Sequence, residues 1–289
     1  MNTIRHQGEA HRVQGSYGNI AAFRLHRPTS AAEACSLVGE LGDRVALMAG
    51  GVDLLQDLKA GLPIEHLIYL KAIKQLRRIE ACDDSVRLGA CATHHDIETD
   101  AVVAEYLPSV AGIWGDVANA RVRIAGTIGG NILAGNARYD GLPPLIALDA
   151  TAIFETVAGT RRTRVDEVLG DRNAILSAIE VPKRYGRYFA FDRSLKPAVS
   201  VAVSIAADRG KVEHVRAGIG CAHASPVGGR LPIDPGTSLE TLAKSSVELA
   251  AAFAQSLPEP IEDLTASSAY RRRMIALQLA RQLRALCEA

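Results

Sequence analysis

The stretch Leu47-Met48-Ala49-Gly50-Gly51-Val52-Asp53-Leu54 carries an apolar strand into two glycines and out into a helix, and Gly126-Thr127-Ile128-Gly129-Gly130-Asn131 repeats the paired glycines further along the chain. A strand that ends in adjacent glycines presents backbone N–H groups with no Cβ in the way, a surface suited to a phosphate. The same residues also make an ordinary strand-to-helix turn. A carboxylate is a poor direct partner for a pyrophosphate, so Asp53 is expected to cap the following helix, with Gln56 completing a capping box. In the second loop, Thr127 and Asn131 add side-chain donors beside the glycines. Two such loops can clamp the phosphates of a dinucleotide from opposite sides. Neither matches G-x-G-x-x-G or G-x-x-x-x-G-K-[ST], which disfavours a Rossmann site and a P-loop. Beyond Asn131, Asp140 in Tyr139-Asp140-Gly141-Leu142-Pro143-Pro144 reads either as an Asp-Gly turn or as an acceptor for ribose or ribitol hydroxyls.

Working outward, residues 1–19 are polar and glycine-bearing and read as a loose extension. Periodicity begins at Phe23. Ser30 is placed to cap a helix through Leu41 with Glu33 at its third position. Val45 to Met48 is a short strand, and Asp53 to Ala60 a helix with Leu54, Leu55 and Leu58 on one face. Further strands are expected at Leu67 to Leu70 and Val86 to Leu88. Thr93-His94-His95-Asp96 reads as a helix cap, Pro108 to Ala120 as one helix, and Thr151 to Val165 as a hairpin across Gly159. After about Gly170 the pattern changes to strands (Ile175 to Val181, Tyr188 to Phe191, Ala198 to Ala207, Val212 to Gly218). Two helices follow, Leu239 to Leu257 and Ser267 to Leu286. A run of strands followed by a run of helices marks an α+β unit. The expected organisation is therefore 1–19 extension, 20–170 first domain in two subdomains, and 171–289 C-terminal domain.

Composition narrows the function. The 289 residues carry a net charge of +1 with 48% hydrophobic residues, so the chain is globular and has no electrostatic footprint for nucleic acid. No apolar run approaches the length that spans a bilayer, and the first twenty residues lack the apolar core of a signal peptide. Five widely spaced cysteines contain no C-x-x-C, which gives no zinc or four-cysteine iron–sulfur site and reads as reduced thiols in a cytoplasmic protein.

With these residues in place, the sequence resembles the FAD-binding medium subunit of the molybdenum hydroxylases, the xanthine dehydrogenase and carbon monoxide dehydrogenase group. The resemblance runs from about Phe23 to the C-terminus. It includes Arg27-Pro28-Thr29-Ser30, Ala49-Gly50-Gly51-x-Asp53-Leu54, Leu88-Gly89-Ala90-x-x-Thr93, Arg123-x-x-Gly126-Thr127-Ile128-Gly129-Gly130-Asn131, Leu145-x-Ala147-Leu148-Asp149-Ala150 and Tyr270-Arg271-Arg272. It implies an α+β fold of three parts: two small α/β FAD-binding subdomains of the PCMH type, and a C-terminal α+β domain closing over the isoalloxazine.

By the same resemblance, Leu47, Met48, Ala49, Gly50, Gly51, Val52, Asp53 and Leu54 wrap the FAD pyrophosphate together with Thr127, Ile128, Gly129, Gly130 and Asn131. Asp140 is the acidic FAD contact, Leu169 lies near the flavin ring, and Lys196 is the nearest candidate for a basic contact. Val52 stands where the family has Thr or His, and the segment after Leu169 is shorter than in the family. There is no cysteine-bearing insert after the second loop.

The resemblance further implies a large molybdenum-cofactor subunit and a small subunit with two [2Fe-2S] clusters as partners. The assembly would be a dimer of heterotrimers, with electrons leaving FAD to an external acceptor. Two alternatives stand beside this reading: a scaffold subunit that has lost FAD, and a self-contained flavin oxidase. Gly129→Val is expected to abolish FAD retention with the fold intact.

Other features read as structural. His94-His95-Asp96 with Glu98 offers no third ligand at metal spacing and is expected at a capped surface turn. Tyr185, Tyr188, Phe189 and Phe191 are expected to pack a strand. Tyr270-Arg271-Arg272-Arg273 is expected to be a solvated face or a partner contact. No Ser/His/Asp or Cys/His arrangement supports nucleophilic catalysis.

Overall fold

The computed structural model describes residues 20–168, 174–185, 188–193 and 197–288, and three sheets organise them. The extension expected at 1–19 lies outside the described residues. The first sheet is parallel and consists of β1 (Arg24–His26), β2 (Val45–Met48) and β3 (His66–Tyr69), in the order β1-β3-β2. A parallel sheet must be covered on both faces. The central strand accordingly turns Ile68 toward α1 (Ala31–Leu41) and Leu67 toward α2 (Leu54–Lys59). The start of α1 follows the sequence reading: Ser30 Oγ accepts from the Glu33 N–H at 3.1 Å. In α2 only Leu58 is buried, whereas Leu55 is exposed, so the expected three-leucine face is narrower than the spacing implied.

The second sheet is antiparallel: β4 (Ile79–Ala81), β5 (Ser85–Gly89), β6 (Thr151–Thr156), β7 (Gly159–Arg164) and β8 (Ile175–Pro182), in the order β4-β5-β8-β6-β7. The hairpin across Gly159 is present as β6 and β7. β8 inserts between β5 and β6, with Ile179 opposite both Leu88 and Ala152, so the sheet begun before residue 170 is completed after it. Ile175 joins the cluster around α1 while Leu176, Ile179 and Val181 join the helical core. Burial on both faces is why its sequence is a nearly continuous apolar run. The chain therefore changes sheet between Pro182 and Tyr188.

Six helices separate β5 from β6: α3 (His94–Thr99), α4 (Ala101–Tyr106), α5 (Pro108–Gly115), α6 (Ala120–Ala125), α7 (Ile128–Leu133) and α8 (Leu142–Ala147). Five of them pack with this sheet around the buried Trp114, while α6, which buries no residue, lies against α3. The single helix expected over Pro108 to Ala120 is interrupted. Ala118 adopts φ +46°, and Asn119 starts α6 by accepting from the Val122 N–H at 3.1 Å.

The third sheet contains β9 (Tyr188–Arg193), β10 (Ser200–Asp208), β11 (Lys211–Gly220) and β12 (Val227–Arg230), with the short β13 (Thr237–Ser238) pairing the start of β11. On one side, Val201, Val203 and Ile205 pack against Phe253, Ile275 and Leu279 of α10 (Ser246–Ser256) and α11 (Ser268–Glu288). The helix expected over Leu239 to Leu257 is parted at Ser245 into α9 (Leu239–Lys244) and α10. On the other side the sheet receives α8. A Cβ on Gly218 would lie 2.0 Å from the Pro143 carbonyl oxygen, so only glycine lets α8 lie this close. Phe189 and Phe191 pack in the core that contains α8, and Tyr188 packs in the core beneath α11. The side chain of Tyr185 lies outside the described residues.

Arg271 is not a solvated residue. Its side chain is 2% exposed, donates to the carbonyls of Ala198 and Cys221, and pairs with Asp263 at 2.6 Å. Arg272 donates to the Ala254 carbonyl at 2.6 Å and pairs with Glu259. The five cysteines are unpaired, with Cys35, Cys91 and Cys221 buried. Among the described residues, no helix is long and apolar enough to cross a membrane.

Candidate cofactor-binding site

The two glycine loops meet. A Cβ on Gly50 would sit 2.2 Å from the Ala125 carbonyl oxygen and 3.0 Å from Gly126 Cα, so the first loop touches the second backbone to backbone. Gly51 follows with φ +74°, a conformation that costs any residue with a Cβ. Lys71 Nζ also donates to the Ala125 carbonyl at 3.5 Å. The first loop leaves the carboxyl end of β2, and Leu47 to Leu54 are half-buried throughout. A crevice beyond the carboxyl ends of parallel strands is where open α/β sheets bind ligands.

The second loop is stitched onto the segment after β5. Ile128 N donates to Ala92 O at 3.0 Å, Gly129 N to Ala90 O at 2.9 Å, and His94 N to Gly126 O at 3.1 Å. Thr127 is buried, and its hydroxyl accepts from the Gly130 N–H at 3.2 Å, capping α7. Ile128 and Gly129 are buried too. A Cβ on Gly129 would lie 2.7 Å from Ala90 O, so this glycine serves packing, and the expectation that Gly129→Val leaves the fold intact is corrected. Gly130 is exposed, and a Cβ there would meet only Thr127 Oγ1, at 3.1 Å. Asn131 Oδ1 accepts from the Gly141 N–H at 3.2 Å, which leaves its amide nitrogen as a donor.

Asp53 does not cap α2. It has helical φ and ψ and makes no cap bond, and its Oδ1 instead accepts from the Tyr139 hydroxyl at 2.5 Å. The cap expected from Asp53 and Gln56 is thereby replaced by a bond to another segment. Burial, then the Asp53 carboxylate, push the Tyr139 hydroxyl up to about 12. Asp140 is largely buried. Burial raises its pKa, and Arg193, with Nε 3.2 Å from Oδ2, opposes that rise. Arg193 also donates to the Asp116 carbonyl at 2.8 Å, so β9 is fastened to the helical layer at the same point. Leu169 and Lys196 lie outside the described residues.

His94 corrects the expectation of a surface turn. Thr93 and Asp96 form the expected capping box, with bonds of 3.0 and 2.9 Å. The His94 ring, however, is 2% exposed and lies under the second loop, 3.2 Å from where a Cβ of Gly126 would be. Burial, then Arg123, lower its pKa to about 4, so it is neutral at physiological pH. His95 remains exposed beside Glu98. Among the described residues, no group of three or more His, Cys, Asp or Glu is placed to hold a metal.

The arrangement fits a dinucleotide: two loops in backbone contact, Gly51 at a positive φ, an exposed Gly130, an amide donor at Asn131, and a carboxylate at Asp140. Sequence reading missed Tyr139, Arg193, Lys71 and the burial of His94. Tyr139 and Arg193 act across long sequence separations, which no local spacing announces.

Comparison with known proteins agrees with this geometry. Residues 21–184 match the family described as the FAD binding domain in molybdopterin dehydrogenase. The chain is 30% identical over 278 residues to the carbon monoxide dehydrogenase medium chain of Hydrogenophaga pseudoflava, covering 91% of this chain and 96% of that one. It is 27% identical over 147 residues to the nicotinate dehydrogenase FAD-subunit of Eubacterium barkeri, covering 50% of each. A solved structure of carbon monoxide dehydrogenase from Hydrogenophaga pseudoflava superposes with a TM-score of 0.78 at 27% identity, over 90% of this chain and 96% of that chain.

Proposed function

Because the chain belongs to the family of FAD-binding medium subunits of the molybdenum hydroxylases, we propose that it is the electron-transfer flavoprotein of such a complex. In this reading electrons arrive from iron–sulfur clusters on a small partner subunit, pass through FAD and leave to an external acceptor. A large partner subunit carries the molybdenum cofactor and oxidises the substrate. The assembly is a dimer of heterotrimers in the cytoplasm. The chemistry that bound flavin supplies is conversion between single-electron and paired-electron transfer.

This chain's residues bind and orient. The pyrophosphate is assigned to Leu47 to Leu54 and Thr127 to Asn131: the first loop offers backbone N–H groups, the second offers close approach at the exposed Gly130 and the Asn131 amide, and Asp140 accepts from the cofactor's hydroxyls. By the resemblance, Leu169 is assigned to the ring end and Lys196 to a basic contact with the cofactor. The observation that carries the reading is the backbone contact of Gly50 with Ala125 and Gly126, which makes one cleft of two loops.

The first test is the visible absorbance of the purified chain with and without added FAD, followed by identification of the flavin released on denaturation. Stoichiometric FAD is expected. Reduction of that flavin by substrate only when the partner subunits are present supports the electron-transfer role. A correctly assembled complex that releases no flavin on denaturation refutes it in favour of a scaffold, and substrate turnover by the lone chain refutes it in favour of a self-contained oxidase.

A further inference from the structure

The three residues that follow the second loop at a distance fasten three separate segments. The Tyr139 hydroxyl donates to Asp53 on the first loop, Asp140 pairs with Arg193 on β9, and the Gly141 N–H donates to Asn131 on the second loop. We propose that Tyr139 is a positioning residue for the cofactor: its hydroxyl latches the first glycine loop to the second-loop side of the cleft, so that FAD meets a preformed site and leaves it slowly. This rests on the assignment of the two loops to the FAD pyrophosphate.

The loops touch at Gly50, backbone against backbone. The bond at Asp53 supplies a second fixed point on the far side of Gly51 and Val52, so both residues are held from both ends. The Asp53 carboxylate makes no cap bond with its own helix and is therefore committed to the latch. An O–H donating to an ionised carboxylate is among the stronger hydrogen bonds. With its pKa pushed up to about 12, Tyr139 remains a donor across the physiological range.

The other end of the latch is anchored. Tyr139 N donates to Asn136 O at 3.0 Å, Arg138 N to Asn136 Oδ1 at 3.0 Å, and Cys221 N to Ala137 O at 2.9 Å. The segment bearing Tyr139 is thus tied to the C-terminal sheet, and the bond to Asp53 fastens the first loop to it. A loop already held in its binding conformation pays less ordering entropy when the ligand arrives.

The test uses the full chain, stripped of flavin and titrated with FAD, with Kd and release rate read from flavin fluorescence. Tyr139→Phe keeps the ring and removes the hydroxyl; Kd is expected to rise about tenfold, chiefly through faster release. The melting temperature of the flavin-free chain is expected to change little beside the loss of flavin-dependent stabilisation. Asp53→Asn retains an acceptor oxygen without the charge and is expected to release FAD at a rate between those of wild type and Asp53→Ala. Asp53→Ala is expected to match Tyr139→Phe, and the double variant to be no weaker than either single one. Asp53→Ala reads the same bond from its other end should Tyr139→Phe fail to fold. Wild-type affinity and release in Tyr139→Phe, or additive losses in the double variant, overturn the latch alone. A wild-type chain that takes up no FAD overturns the loop assignment and the latch with it.

Discussion

Substituting Gly50 by alanine perturbs the cofactor cleft at the point where its two halves touch. The new Cβ would stand 2.2 Å from the Ala125 carbonyl oxygen, and ordinary contact begins at 3.4 Å, so the loops must part by about 1.2 Å. The obstacle is backbone on both sides, with no flexible side chain to swing away. Overpacking of this kind costs roughly 1–3 kcal/mol, which in a chain of this size lowers the melting temperature by several degrees. The effect on FAD is larger than that strain. An N–H···O bond spans a window of about 0.5 Å, so a shift of more than an ångström removes donors from a phosphate held by the opposite loop. Losing one bond to a charged oxygen costs about 1.5–3 kcal/mol, a tenfold to hundredfold loss of affinity. Titration of flavin-free Gly50→Ala with FAD, with circular dichroism as the fold control, measures it. Wild-type FAD affinity in a folded Gly50→Ala chain refutes the argument that the two loops form one cleft.

Gly129→Val is expected to give an unstable or insoluble chain through its clash with Ala90, whereas Gly130→Val is expected to fold and lose flavin; thermal melts and flavin content of the pair check this. His94 titrates at about 4 in the fold against 6.5 ordinarily, so its neutral form stabilises the chain above pH 6.5 and that contribution is lost as the pH falls toward 4. It is worth roughly 3 kcal/mol at most, and His94→Leu should flatten the fall in melting temperature across that window. Arg271→Met removes a buried guanidinium that joins Ala198, Cys221 and Asp263, and a drop in melting temperature of about 10 °C is expected by calorimetry.

Local signals were legible and long-range ones were not. The Ser30 cap, the Thr93–Asp96 capping box and the hairpin across Gly159 depend on residues a few positions apart, and each is found where the sequence puts it. Helix interruptions at Ala118 and Ser245 escaped because periodicity persists through a single residue of unusual backbone. The burial of His94 escaped because a polar residue beside a cap reads as surface, and only the overlying second loop covers it. Asp53 was read by its nearest neighbours, yet its partner is Tyr139, brought back across both loops by the tertiary fold. Ile175 to Val181 was read as a strand and is one, but its pairing with β5 and β6 was not legible, since a strand's sequence records how deeply it is buried and not beside which neighbour.

The central place of β8 has a consequence for how the protein is made. On a ribosome, the segments bearing both glycine loops are translated before β8, but β5 and β6 have no pairing with each other and are joined only through β8. Until Pro182 has emerged, the sheet exists as two open halves, each with a bare strand edge. Ala90, whose carbonyl holds the Gly129 N–H, itself donates to the Ser177 carbonyl on β8, so the support beneath the second loop is complete only with that last strand in the centre of the sheet.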